Sequence, residues 1–191
     1  RAWGQTHDRT AASGRGRRQT EPVTTAKRVC GSGMNSGRTA HEQIFAGSQE
    51  TMVAGGIESM TVSTYMSPSS RAGARLGHAQ LKDHMFLDGL EDAYEEGKLM
   101  GHFAELCAQK YQFSREDQDT FALRSLSNAL DAEKSNAWDG EITPFTVKTR
   151  RGETVIAADE QPSKARPEKI PQLRPAFAKD GTVTAANASS I

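Results

Sequence analysis

The strongest constraint on this chain is the pattern over residues 23–57. Val23 to Val29 is β-like, and Cys30-Gly31-Ser32-Gly33-Met34 is a glycine-rich turn. Met34, Ala40, Ile44 and Phe45 then recur at spacings that suit one face of a helix. Gly47 is a C-terminal stop for that helix, and Thr51-Met52-Val53-Ala54 reads as a buried strand closed by Gly55-Gly56. Strand, tight turn, helix and strand make a βαβ unit, whose crossover is right-handed and whose strands are parallel. The expected fold class is therefore α/β.

Cys30 is the residue of chemical interest because of where that pattern puts it. The N–H groups and macrodipole at a helix start favour an anion, and hence the thiolate of a cysteine held there. Backbone N–H groups near Cys30 are candidate stabilisers of an oxyanion. Gly31 and Gly33 would clear space for a carbonyl substrate and permit angles closed to other residues. The arrangement resembles a nucleophile elbow with sulfur in place of a hydroxyl. A cysteine by itself is more often an inert core residue; the strand–turn–helix context brings the functional reading level with that one. A phosphate-binding loop is disfavoured, because neither G-x-G-x-x-G nor a P-loop lysine is present.

Residues 61–80 are rich in Ser, Pro and Gly and read as a long excursion. Helical pieces are expected within 86–111, with Phe86, Leu87, Leu90, Tyr94, Leu99, Phe103 and Leu106 as apolar positions. Ser114-Arg115-Glu116-Asp117 resembles a capping box with Asp replacing Glu. It opens a helix to about Lys134, with Phe121, Ala122, Leu126, Ala129 and Leu130 on the buried side. Glu141 to Thr149 and Glu153 to Ala158 predict a hairpin around Arg150-Arg151-Gly152. Four prolines predict an irregular loop over 159–180. Thr182-Val183-Thr184 predicts the start of a strand. Residues 1–22 read as a loop, and a chain beginning with Arg1 rather than Met suggests a missing or processed N-terminus.

Composition narrows the function classes. The 24 Lys and Arg balance 24 Asp and Glu, so no net charge drives the chain to nucleic acid or to a membrane surface. The two cysteines lack zinc-finger spacing, so no metal is expected. Without an h-region or a long apolar run, a reducing cytoplasmic location is the expectation. Hydrophobic residues are 36% of the chain, low for an autonomous domain, which hints that part of the surface meets a partner or a further segment.

Several motifs carry a family resemblance. Val29-Cys30-Gly31-Ser32-Gly33-Met34 followed by Val53-Ala54-Gly55-Gly56-Ile57-Glu58-Ser59-Met60 resembles the thiolase family. So do Asp83-His84-Met85, Asp88-Gly89-Leu90-Glu91-Asp92-Ala93-Tyr94, and Met100-Gly101 with Ala104-Glu105. Arg174-Pro175-Ala176-Phe177, Gly181-Thr182-Val183-Thr184-Ala185 and Asn187-Ala188-Ser189 follow in family order.

The resemblance implies a thiolase-like α/β fold: a partial core lobe at 1–60, a coenzyme A-covering α+β loop domain at 61–180, and a strand returning to the core at 181–191. It implies an acyl-CoA C-acyltransferase (acetyl-CoA acetyltransferase) of fatty acid metabolism, with Cys30 as the acyl-accepting nucleophile. Leu90, Met100, Phe177, Ala185 and Ser189 match positions near the pantetheine and acyl part. The coenzyme A thioester is substrate rather than bound cofactor, and the full-length protein is expected as a homodimer or homotetramer.

The family's Gly-His-Pro histidine and its Cys-x-Gly cysteine have no counterpart here. His78 and His102 are not followed by Pro, and Cys107 lies in Leu-Cys-Ala. Little turnover is expected of the chain as it stands. His41, His84 and His102 read as packing or surface residues, and Arg150, Arg151, Lys164 and Arg166 as solvated charges that could meet phosphate. Two alternatives remain: a ketoacyl-synthase-like condensing enzyme and a non-catalytic CoA-binding or assembly fragment.

Overall fold

The computed structural model describes residues 22–190. The expectation for residues 1–22, save Pro22, falls outside that range. The described chain divides into two compact units, one ending at Lys98 and the other beginning at Leu99. No helix among the described residues is long and apolar enough to cross a membrane.

The first unit is organised around helix α1, Ser32–Phe45. Its extent follows the sequence expectation, and Gly47 takes a positive φ of 71° just beyond it. The expected strands on either side are not assigned as strands: residues 22–27 and 51–59 carry no ladder. A parallel strand is held only by neighbours that complete its hydrogen bonds, and none of the described segments supplies them. The apolar face is likewise open. Only Ala40 is buried, while Met34 and Phe45 are 83% and 87% exposed.

The excursion after Gly56 contains 3-10 turns at Met60–Val62 and Ser70–Ala72. Strand β1, Tyr65–Met66, pairs antiparallel with β2, Lys82–Asp83. A π-helical turn, Phe86–Leu90, follows directly.

The second unit starts with α2, Met100–Tyr111, whose C-cap Gln112 is left-handed. Helix α3, Arg115–Lys134, begins with the expected box. The Ser114 hydroxyl accepts the Asp117 N–H at 3.1 Å, and the Asp117 carboxylate accepts the Ser114 N–H at 3.2 Å. Aspartate thus performs the reciprocal role usually given to glutamate. The buried side of α3 differs from expectation. Phe121 is 63% exposed and lies under the Arg124 guanidinium, whereas the buried residue is Asp119.

The hairpin is present with shorter arms than expected: β3, Phe145–Thr149, and β4, Gly152–Ile156, in register from Phe145↔Ile156 to Thr149↔Gly152. Arg150 and Arg151 form its two-residue loop, and Gly152 has φ 132°. The stretch 159–180 is more ordered than its prolines suggest. Asp159 caps a short helix α4, Glu160–Lys164, by accepting the Gln161 N–H. Pro167 starts a 3-10 segment to Gln172, using a position where a missing N–H is harmless. Val183 and Thr184 are buried, yet Thr182–Thr184 forms no strand; side chains take up its N–H groups instead.

Candidate functional site

Cys30 is exposed and unpaired, one residue before the Gly31 N-cap of α1. The chain reaches it through a turn. The Gly31 N–H donates to the Arg28 carbonyl at 3.0 Å, and the Ser32 N–H donates to Val29 at 3.2 Å. The positive φ of this elbow falls on Val29, at 48°, not on either glycine. Gly31 has φ −87°, and Gly33 sits within the helix. A β-branched residue in that region is an outlier, held only by its surroundings.

The surroundings are a hydroxyl clamp. Ser32 Oγ accepts the Arg28 N–H at 2.7 Å and donates to the Val29 carbonyl at 2.8 Å. The N–H groups of Gly31 and Ser32 are committed to the turn, so of the backbone donors expected near Cys30 these two are already in use. The glycines also have a different use. A Cβ on Gly56 would stand 3.1 Å from Gly33 Cα, so the glycine pair lets the 55–56 backbone lie against the first turn of α1. Ser36 Oγ ties the same approach: its single proton is within reach of the Gly33 carbonyl at 2.7 Å and the Gly55 carbonyl at 3.0 Å.

A charged cluster links this segment to the π-helical turn. Lys27 pairs with Asp88, whose Oδ2 also meets His84 Nε2 at 3.1 Å. The Lys27 ammonium, followed by the smaller effect of His84, holds the Asp88 carboxyl below its usual range. Half-buried Leu90 lies two residues further along this turn. His84 is therefore a partner of a carboxylate, and His41 is an exposed residue stacked at 6.2 Å on Phe45.

In the second unit, Met100 opens α2, and the next residue, Gly101, seats the Phe177 ring so closely that a methyl there would overlap it. Ala185 and Ser189 are exposed, just after the buried pair Val183 and Thr184. That pair is pinned by polar side chains. The Glu105 carboxylate accepts the Thr182 N–H at 2.9 Å and the Val183 N–H at 2.8 Å. Asn187 Oδ1 accepts the Thr184 N–H at 2.7 Å, and its Nδ2 donates to Asp119 at 3.0 Å.

Asp119 also receives Arg115 Nε at 2.7 Å, while the other guanidinium nitrogens reach the carbonyls of Leu173 and Ile170. Composition and periodicity did not single out Ser32, Glu105 or Asp119 for these roles. Only Ser32 acts at a short offset, three and four residues from its partners; Glu105 and Asp119 meet groups 68 to 78 residues away, which no local pattern marks.

An exposed thiol at a glycine-flanked helix mouth, on an α/β chain, defines a class that comparison with known proteins identifies. The thiolase N-terminal domain profile matches residues 1–191, and the chain belongs to the thiolase family. Among curated relatives, a probable acetyl-CoA acyltransferase of Staphylococcus aureus (strain bovine RF122 / ET3-1) is 40% identical over 190 residues, covering 98% of this chain and 48% of the relative. The same identity and coverage hold for the protein of strain COL.

The crystal structure of the Bacillus anthracis acetyl-CoA acetyltransferase is 41% identical with a TM-score of 0.91, over 99% of this chain and 49% of that one. The Acat5 thiolase from Ascaris suum, solved in complex with coenzyme A, is 34% identical with a TM-score of 0.89, over 100% of this chain and 48% of that one. The chain thus has a thiolase-type α/β fold and spans about half the length of the curated relatives it matches.

Proposed function

We propose that this chain carries the acyl-accepting step of an acyl-CoA C-acyltransferase, with Cys30 as nucleophile. The observation that supports this most directly is the exposed Cys30 thiol at the start of α1 in a thiolase-family chain. In the step, the Cys30 thiolate attacks the thioester carbonyl of an acyl-CoA. A new carbon–sulfur bond forms, the bond to the coenzyme A sulfur breaks, and the coenzyme A thiolate leaves and takes up a proton. Coenzyme A thioester is substrate, and the acyl group stays on Cys30 until a second acyl-CoA, or free coenzyme A in the reverse direction, removes it.

Leu90, Met100, Phe177, Ala185 and Ser189 are each proposed, from the family resemblance, as positions for the pantetheine and acyl part of the substrate. Residues 61–180 are proposed as the cover over coenzyme A, with 1–60 and 181–191 belonging to the core. A cytoplasmic homodimer or homotetramer is the assembly that goes with this reading.

The test is to incubate the chain with acetyl-CoA and weigh it intact. One acetyl adduct of about 42 Da, absent from Cys30→Ser, is expected. Retention of coenzyme A with no adduct would favour a non-catalytic binding fragment. An adduct that survives Cys30→Ser would remove Cys30 from the reaction. Transfer from acyl-carrier-protein thioesters but not from acetyl-CoA would point to a ketoacyl-synthase-like enzyme.

A further inference from the structure

Val29 occupies a backbone region that ordinary side chains avoid, directly before Cys30. At φ 48° it takes the first central position of the Arg28–Gly31 turn, where a positive φ normally calls for glycine. A valine stays there only if its neighbours make the alternative worse. The bonds that do so are local. Two run between backbone groups, from Gly31 to Arg28 and from Ser32 to Val29. The other two belong to one side chain: Ser32 Oγ holds the Arg28 N–H at 2.7 Å and the Val29 carbonyl at 2.8 Å, bracketing the unusual residue on both sides.

We infer that Ser32 is a positioning residue for Cys30: its hydroxyl locks Val29 in the left-handed conformation and thereby keeps the thiol at the mouth of α1. The role of Cys30 as acyl acceptor rests on the reading above; the clamp itself rests on the geometry. Without the hydroxyl, Arg28 N–H loses its partner and the Val29 carbonyl loses one of two. Val29 then relaxes towards extended backbone. That rotation swings the following residue, Cys30, away from its place at the start of α1 and changes how its sulfur is presented to a reagent. Threonine keeps the hydroxyl and should keep the clamp. Glycine at position 29 takes a positive φ at no steric cost and should make the clamp dispensable.

The experiment measures alkylation of Cys30 by iodoacetamide in the full chain, read by peptide mass after digestion. Cys107, also exposed and unpaired, is the internal reference for any general loss of structure. Relative to Cys107, Ser32→Ala should slow Cys30 by about tenfold, the scale of one to two lost hydrogen bonds. Ser32→Thr should stay within about twofold of the parent. In a Val29→Gly background, adding Ser32→Ala should change the rate by less than about twofold, because the interaction it served is gone.

An unchanged Cys30-to-Cys107 ratio in Ser32→Ala overturns the inference. So does a loss of the same size in both backgrounds, which is what a simple helix cap would give. Acetylation by acetyl-CoA is measured in parallel. If the parent is alkylated with the expected pattern yet never acetylated, the acyltransferase reading fails while the clamp stands. If the parent is acetylated and Ser32→Ala is indistinguishable from it in both assays, the reading stands and the clamp fails.

Discussion

At the scale of single residues, the decisive groups are small or polar, and their roles come from what they touch. Gly101 leaves room for the Phe177 ring and nothing else. Gly101→Ala should destabilise the chain by about 1–3 kcal/mol or displace Phe177, as overpacking does, measured by urea unfolding. Glu105 is the partner of two backbone N–H groups in a segment where Thr184 is 0% exposed. Glu105→Ala leaves those donors without their acceptor and should lower stability by about 2 kcal/mol or more, while Glu105→Gln retains part of the difference. If Glu105→Ala unfolds at the parental urea concentration, the carboxylate is not what holds Thr182 and Val183.

Asp88 gives a pH expectation with a definite sign. Its folded-state value is lowered, chiefly by the hydrogen bond from Lys27. The contribution is therefore fully present above the ordinary aspartate range near pH 4 and is lost as pH falls through the lower folded value. Lys27→Met should flatten the stability curve below about pH 4 and leave it parallel to the parent above that. The pair is half exposed, so the effect should shrink in high salt.

At the scale of elements, helix ends were legible and strand edges were not. A capping box is a local device: its bonds run between Ser114 and Asp117, so three residues of spacing carry the information. Ser114→Ala should cost about 1 kcal/mol and speed amide exchange in the first turn of α3. The Asp117 carboxyl is lowered by bonds from the Ser114 hydroxyl and then its N–H, so the same turn should loosen on acidification below its ordinary range. Protection of the Gln118 and Asp119 amides, taken relative to the intrinsic exchange rate at each pH, that is unchanged by acidification and by the Ser114 change would contradict this. The hairpin was equally local, with the loop Arg150-Arg151 and the left-handed Gly152 set by turn chemistry. The strands expected at 23–29, 51–54 and 182–184 depended on partners elsewhere. Only Thr182–Thr184 found a substitute, in the side chains of Glu105 and Asn187.

At the scale of the whole molecule, few large side chains are covered. Among the described residues the buried hydrophobic ones are Ala40, Ala108, Ile170 and Val183. Met34, Phe45, Leu76 and Tyr94 are almost fully open to solvent. Extensive exposed apolar surface on a chain in solution marks sites of association. The chain should bind a hydrophobic dye such as ANS and show concentration-dependent association by sedimentation velocity. A dye-dark monomer at tens of micromolar, on the order of ordinary working concentrations, would show that these side chains are covered in solution.

What the sequence determined by itself lies within a few residues along the chain: helix α1 and its start at the glycine turn, the Ser114 box, the hairpin, and the run of motifs that marks a thiolase. Those depend on local hydrogen bonds and backbone angles. Tertiary structure alone decided which apolar faces were covered, and that Asp119 rather than Phe121 is the buried residue of α3. Burial is a property of what surrounds a residue, and a linear pattern holds no record of a neighbour 60 or 70 residues away.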